Sequence, residues 1–303
     1  MQLDFYTLDV FTDRRFGGNP LAVVLSADAL DTELMQTIAR EFNVSETVFV
    51  QRPVNPAHSA KIRIFTPAQE LPFAGHPTIG TACLLADLRT PDTGSERDAL
   101  VALEETIGTV RIGVRLKNGT AHAEFDAPKL PEPAGAPPSN EQLAAALGLI
   151  PSEIGFANHR PSVYSAGVPF VFVPVSSLEA IAKADVYSQH WQSTFGGCAS
   201  AKAYLYCRQT VHATSSFHAR MFAPMVGVKE DPATGSAAAA FAGVVQHFDA
   251  LPDGNHKRII EQGYEMGRPS LVALTLEVER GRLDTVRIGG GAVRVSEGKI
   301  RIA

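Results

Sequence analysis

Apolar and polar positions alternate over Gln2–Val10, a stretch rich in aromatic residues, and this predicts a strand. A turn cluster from Arg14 to Pro20 follows, and then Leu21–Leu25 reads as a buried strand. Beyond Asp31 the spacing changes. Leu34, Ile38 and Phe42 recur at helical intervals, so Asp31 is read as the N-cap of an amphipathic helix. Glu46–Val50 and Lys61–Thr66 return to strand patterning. Residues 67–72 read as a loop and 90–98 as a polar loop. Leu100–Leu103, Thr109–Arg115 and Ala121–Phe125 read as a meander of strands.

Two runs have no polar face. Thr78–Ala86 and Ser236–Val245 are small or apolar on every side, and a helix of that kind is a buried one. Pro77 and Pro232 are placed to open them, because a proline at the first helical position loses no hydrogen bond. Between the runs, the segment from Pro128 to Pro138 carries five prolines and reads as a linker. Asn140–Leu147 reads as a helix stopped by Gly148. Strands are expected near Lys257–Gln262, Ser270–Val278, Thr285–Gly289 and Ala292–Ser296, followed by the tail Lys299–Ala303.

The order of elements in the second half echoes the first. Gly167 lies 149 positions after Gly18, Ala201 156 after Ser45, Arg220 157 after Arg63, and Asp231 155 after His76. Four echoes in one order at a nearly constant offset indicate a duplicated, domain-sized fold rather than a solenoid. The expected division is a first domain of residues 1–127, completed by a C-terminal strand at 290–303, and a second of residues 128–289.

Composition narrows the function. The chain has 303 residues, 45% of them hydrophobic and 19% charged, with a net charge of −5 and both signs interleaved. That suits a globular enzyme with a sizeable core and lacks the basic patch of a nucleic-acid binder. The three cysteines, Cys83, Cys198 and Cys207, make no disulfide framework. Gln2–Tyr6 reads as strand with no leader pattern, and no window is apolar enough to span a membrane, so a cytoplasmic protein is expected. The nine histidines show no metal-ligand spacing and no Cys-x-x-Cys is present, so no metal is expected. Gly289–Gly291 is a weak phosphate-loop candidate, and no nucleophile elbow occurs.

The chemistry is sought at the two buried helices. Helix N-termini present unpaired N–H groups and partial positive charge, so they bind carboxylates. His76 and Asp231 are read as standing at equivalent mouths of the two helices, facing one substrate across a cleft. Gly75 and Gly235 let backbone approach closely, and Ser236 adds a hydroxyl. Each has a plainer alternative: Asp231 as a helix N-cap, His76 as a packed histidine. Glu46, in Asn43–Thr47, is the third candidate, its plainer alternative being a surface carboxylate. Its counterpart in the second copy is Lys202, so here the two halves differ. Glu70 and Glu230 are read as solvated or as supports behind the site.

Several of these residues lie in motifs: Asp9–Thr12, Gly18–Val23, Ser45–Thr47, Glu70–Thr78 and Glu230–Ser236. In these stretches, spread in order over most of the chain, the sequence resembles the PhzF family of phenazine-biosynthesis-like proteins. The resemblance implies the diaminopimelate-epimerase-like α+β fold: two pseudo-symmetric lobes, each a curled, mostly antiparallel sheet around a central buried helix. It also implies a cofactor-independent isomerase similar to trans-2,3-dihydro-3-hydroxyanthranilate isomerase, in which a glutamate carries a proton between carbons on one face of the ring. By motif that glutamate is Glu46, and the family's histidine and aspartate fall on His76 and Asp231. Its glycines and serine fall on Gly75, Gly235 and Ser236. The implied partners are a small carboxylate-bearing substrate and a second copy of the chain in a homodimer. As a base, Glu46 needs a raised pKa, which burial in a closed site supplies. Related epimerases use two cysteines at the helix ends, and neither motif here holds one. Non-catalytic binding and amino-acid epimerisation remain the alternatives.

Overall fold

The structure, a computed structural model, describes residues 1–90, 95–117 and 119–302. Part of the polar loop expected at 90–98, residues 91–94, lies outside the described residues. The fold is mixed α/β and dominated by sheet. It divides into two compact units, Met1–Asp126 with Gly289–Ala303, and Ala127–Ile288.

The first unit runs β1 (Gln2–Val10), β2 (Asn19–Val24), α1 (Thr32–Phe42), β3 (Glu46–Gln51), β4 (Ala60–Phe65), β5 (Glu70–Leu71), α2 (Gly75–Arg89), β6 (Arg97–Glu105), β7 (Gly108–Lys117) and β8 (Thr120–Asp126). The second holds β9 (Glu132–Pro133), α3 (Asn140–Leu147), β10 (Ser162–Ser165), β11 (Pro169–Pro174), α4 (Leu178–Lys183) and α5 (Ser188–Phe195). It continues with β12 (Ala203–Cys207), β13 (Phe217–Ala223), β14 (Val228–Asp231), α6 (Gly235–Asp249), β15 (Gly254–Gln262) and β16 (Ser270–Glu279). The last strand, β17 (Arg282–Arg301), begins in the second unit and continues into the first, where it pairs antiparallel with β1.

Helix α2 is the axis of the first unit. Every residue from Gly75 to Ala86 is buried, and the helix packs on β1, β2, β3, β6, β7 and β8. Gly80 permits this: a methyl group there would lie 2.5 Å from Leu21 Cδ2 and 2.7 Å from Val10 Cγ2. Helix α6 holds the same place in the second unit, packed on β9, β10, β11 and β16. Buried aliphatic side chains such as Ile79, Leu84 and Val244 each contribute roughly 1.5–3 kcal/mol by leaving water. Asp31 caps α1 by accepting from the Leu34 N–H at 2.8 Å, and Gly148, at φ 68°, ends α3.

The proline-rich segment is anchored rather than free. Glu132 and Pro133 pair with Ser165 and Tyr164, and Ala134 donates to the Val163 carbonyl at 2.9 Å. Prolines favour extended backbone, and the intervening residues supply the N–H groups a sheet edge needs. The strands expected at the C-terminus are one strand of 20 residues, and Gly289–Gly291 lies inside it. Gly290 leaves room for the Phe11 ring, so the glycine run is a close-packing device and not a phosphate loop. Helices α4 and α5 are too short for their periodicity to announce them.

Hydrogen-bond networks recur in the two units. Glu104 accepts from the Val54 and Asn55 N–H groups, both at 2.8 Å, and Glu261 accepts from Val211 at 2.8 Å and His212 at 2.7 Å. Each carboxylate also meets a histidine, His58 or His218. Arg63 clamps Glu70 through two bonds, as Arg220 clamps Glu230, so neither glutamate is merely solvated. These pairs realign the repeat. Glu230 lies 160 positions after Glu70, as Gly235 does after Gly75. Asp231 therefore matches Leu71, and His76 matches Ser236. Matching His76 to Asp231 is a five-residue slip, caused by an Xaa-Pro pair on each side of the helix start.

Candidate active site

In the first unit, the parallel strands β2 and β3 set Leu21 opposite Glu46. This brings the Pro20 carbonyl and the Glu46 side chain to the beginning of α2. His76, second residue of that helix, hydrogen-bonds to the Pro20 carbonyl, and its Nε2 lies 3.3 Å from Glu46 Oε2. The side chains are 6% and 16% exposed, so Glu46 is not a surface carboxylate. Burial drives the His76 pKa down to about 3, with the Pro20 carbonyl opposing the shift. His76 is thus a neutral imidazole at any physiological pH, with one N–H to give and one lone pair to accept.

The first turn of α2 has no side-chain cap. Ala74 occupies the N-cap position, leaving the Gly75 and His76 N–H groups for an incoming acceptor. Helix α6 is built the same way from other residues. Thr234 is its N-cap residue but does not cap it. Its hydroxyl instead donates to Asp231 Oδ2 at 2.6 Å and accepts from Gln262 Nε2 at 2.9 Å. The fully buried Gln262 also bonds the Thr234 N–H and the Asp231 carbonyl. Asp231 therefore ends β14 and flanks the helix start without serving as N-cap. Gly235 and Ser236 form the first turn, with the serine side chain half-buried. Glu46, His76 and Gly75 thus gather at the start of α2, and Asp231, Gly235 and Ser236 at the start of α6.

Among the described residues no group of three or more His, Cys, Asp or Glu side chains is placed to hold a metal ion. The cysteines stand apart. Cys83 is buried in α2, and burial pushes its thiol well up and that of Cys207 up to about 12. Neither is a ready base at neutral pH. No helix among the described residues is long and apolar enough to cross a membrane.

The model of the phenazine biosynthesis-like protein family matches residues 8–298. An uncharacterized isomerase of Mesorhizobium japonicum is 53% identical over 306 residues, covering 100% of both chains. The chain belongs to the PhzF family. The trans-2,3-dihydro-3-hydroxyanthranilate isomerase of Pseudomonas aeruginosa is 35% identical over 297 residues, with 97% of this chain and 98% of that one covered. The crystal structure of a Bacillus anthracis PhzF-family protein superposes with a TM-score of 0.89 at 27% identity, covering 100% of both. A hydroxyproline epimerase from Agrobacterium vitis shares the fold, with a TM-score of 0.62 at 12% identity over 99% of this chain and 91% of that one.

Beside the motif that marks this chain as a PhzF protein lies a carboxyl that local sequence did not single out. Glu105, the last residue of β6, accepts from the Thr78 hydroxyl at 2.8 Å, and Thr78 also reaches the Ala74 carbonyl at 2.8 Å. Glu105 is 8% exposed, and its other oxygen has no partner among the described residues. Burial raises its pKa from 4.5 to about 8, against the opposing Thr78 bond. The folded protein thus keeps a proton that the unfolded chain releases. Stability should fall as pH rises from about 4.5 through about 8, by an amount on the order of a few kcal/mol. Urea denaturation across that range checks this. The Glu105→Gln variant is expected to flatten this part of the profile and to exceed the native protein in stability at pH above 8. The signal was available in Leu100–Glu105, where a charged residue closes an apolar strand on its inward face.

Proposed function

We propose that this PhzF-family chain is a cofactor-independent isomerase that moves a proton on a small cyclic amino or hydroxy carboxylate, resembling trans-2,3-dihydro-3-hydroxyanthranilate. The observation that carries the reading is the contact of the Glu46 carboxyl with a buried, neutral imidazole at the open start of α2. A pure binding module has no use for a carboxyl held against a neutral histidine.

In the proposed reaction the Glu46 carboxylate removes a proton from one carbon and returns it to another on the same face. The neutral His76 ring has a single N–H. Turned toward Glu46, that N–H steadies the carboxylate. Bonded to Pro20 instead, it leaves a lone pair facing Glu46, which accepts a hydrogen bond from the Glu46 carboxyl while that carboxyl holds the proton. The Gly75 N–H stabilises negative charge developing on the substrate, and Asp231, Gly235 and Ser236 are proposed as binding groups at the start of α6. The two buried helices are proposed as the centres of two related lobes of the diaminopimelate-epimerase type. The active species is proposed to be a homodimer. The raised thiols of Cys83 and Cys207 argue against thiol-based epimerisation.

The test is turnover without added cofactor. With trans-2,3-dihydro-3-hydroxyanthranilate the protein is expected to shift a ring proton, followed by NMR, and to leave a panel of free amino acids unracemised. Racemisation of an amino acid with no change in the ring substrate would favour the epimerase alternative.

A further inference from the structure

Lys202 occupies in the second unit the register position that Glu46 occupies in the first. Strands β11 and β12 pair in parallel, with Val171 opposite Ala203, which places Phe170 opposite Lys202 as Leu21 lies opposite Glu46. The Val171 N–H donates to the Lys202 carbonyl at 2.9 Å, so the ladder reaches that residue.

Side chains on alternate strand residues share a face, spaced about 6.6 Å apart. Two polar groups on β12, Tyr204 and Tyr206, follow that rule and meet Phe241 of α6, and Lys202, the residue before β12, continues the alternation. The Tyr206 hydroxyl bonds His159 at 2.9 Å, and His159 bonds Asp249, the final residue of α6. The Tyr204 ring lies between Phe172 and Phe241, the latter near the middle of α6. One further step toward the helix N-terminus comes Lys202, its ammonium 5.4 Å from the centre of the Phe170 ring. The row from Tyr206 to Lys202 therefore runs along α6 toward the uncapped turn at Gly235 and Ser236.

Two of these groups lack what burial requires. Lys202 is half-buried, desolvation holds its pKa below the ordinary lysine value, and no carboxylate lies within ion-pair distance among the described residues. Tyr204 is 0% exposed, and its hydroxyl has no hydrogen-bond partner among the described residues. Burial, with the Asp231 charge nearby, keeps that phenol protonated. A desolvated cation and a buried hydroxyl donor are each costly without an acceptor. The row they belong to leads toward the end of α6 that has no side-chain cap.

We infer that Lys202, supported by the Tyr204 hydroxyl, anchors the carboxylate of the substrate at the start of α6. The inference rests on the reading that this helix end takes the substrate's polar groups, and it assigns them. The carboxylate goes to Lys202 and the N–H groups of Gly235 and Ser236. Asp231, already held by Thr234, receives the neighbouring amino or hydroxyl donor. The pair selects molecules carrying an acid and a donor on adjacent carbons. Lys202 is a specificity residue and takes no part in proton transfer.

The experiment is calorimetric titration of the full-length protein with anthranilate and with 2-aminobenzamide. In Lys202→Met, methionine keeps the contact with Phe170 and removes a desolvated charge, so the variant is expected to fold. It should bind anthranilate roughly 10- to 100-fold more weakly than the native protein, with no change for the amide, while Lys202→Arg recovers part of the loss. Equal affinity of native protein and Lys202→Met for anthranilate overturns the anchor. So does failure of the native protein to bind it at millimolar concentration. Proton exchange is measured separately: Lys202-dependent binding without exchange keeps the anchor and sinks the isomerase reading.

Discussion

Replacing Glu46 by glutamine should lower turnover of the ring substrate by roughly 10²- to 10⁴-fold, the contribution expected of one positioned base. Glutamine keeps the shape and the contact with His76 Nε2, now 3.3 Å from the carboxyl, but cannot take a proton. Affinity for anthranilate, by calorimetry, should change little, because the carboxylate anchor lies on other elements. The loss should therefore fall on kcat. A fall in affinity with kcat preserved would place Glu46 in binding instead. Because His76 stays neutral down to about pH 3, the pH–rate profile should show no limb from an ordinary imidazole.

The largest effect on stability is expected at Arg220. Its guanidinium, in a side chain only 7% exposed, bonds both oxygens of Glu230 at 2.8 and 2.9 Å. It also donates to the carbonyls of Ile181, Ala182 and Ala184 at the C-terminal end of α4. Alanine there leaves a largely enclosed carboxylate, 14% exposed, without its cation and three carbonyls without that donor. The expected loss is about 3–5 kcal/mol, read by urea denaturation. The same substitution at Arg63 is an internal control. Arg63 clamps Glu70 in the same way, but its side chain is 20% exposed and it bonds one hydroxyl, Thr32, in place of three carbonyls. Water can replace part of what it supplies, so a loss of roughly 1–2 kcal/mol is expected. Equal losses at the two sites would mean that burial and carbonyl capping contribute nothing at Arg220.

The Arg63 and Arg220 clamps also show what a single sequence discloses. The buried helices were legible because Thr78–Ala86 and Ser236–Val245 have no polar face, and a helix of that kind has nowhere to lie except inside a sheet. Glu46 and His76 were legible through their motifs, and their contact follows from the parallel pairing of β2 with β3. The alignment of the two copies was not legible at the helix starts. A proline near a helix N-terminus is a general signal, and the copies carry it at different distances from Gly75 and Gly235. The match is fixed by the clamped glutamates, Glu70 and Glu230, which share the offset of Gly75 and Gly235, and each clamp joins residues on different strands. Glu105 and Tyr204 escaped for a related reason. Glu105, at the end of an apolar strand, reads as a boundary, and Tyr204, inside one, reads as a core ring, until the helix packed over each is known. Realigned, the copies differ at His76 against Ser236 in the first turns, and at Glu46 against Lys202 on the strands: the proposed proton carrier in one copy, the proposed anion anchor in the other.

The role proposed for the Glu46 carboxyl is to carry the proton. Its most direct test is NMR detection of deuterium entering trans-2,3-dihydro-3-hydroxyanthranilate, or its product, in deuterated buffer. The native protein should place deuterium at a ring carbon, and the folded Glu46→Gln variant should place essentially none. Equal incorporation by the two proteins would exclude Glu46 as the proton carrier.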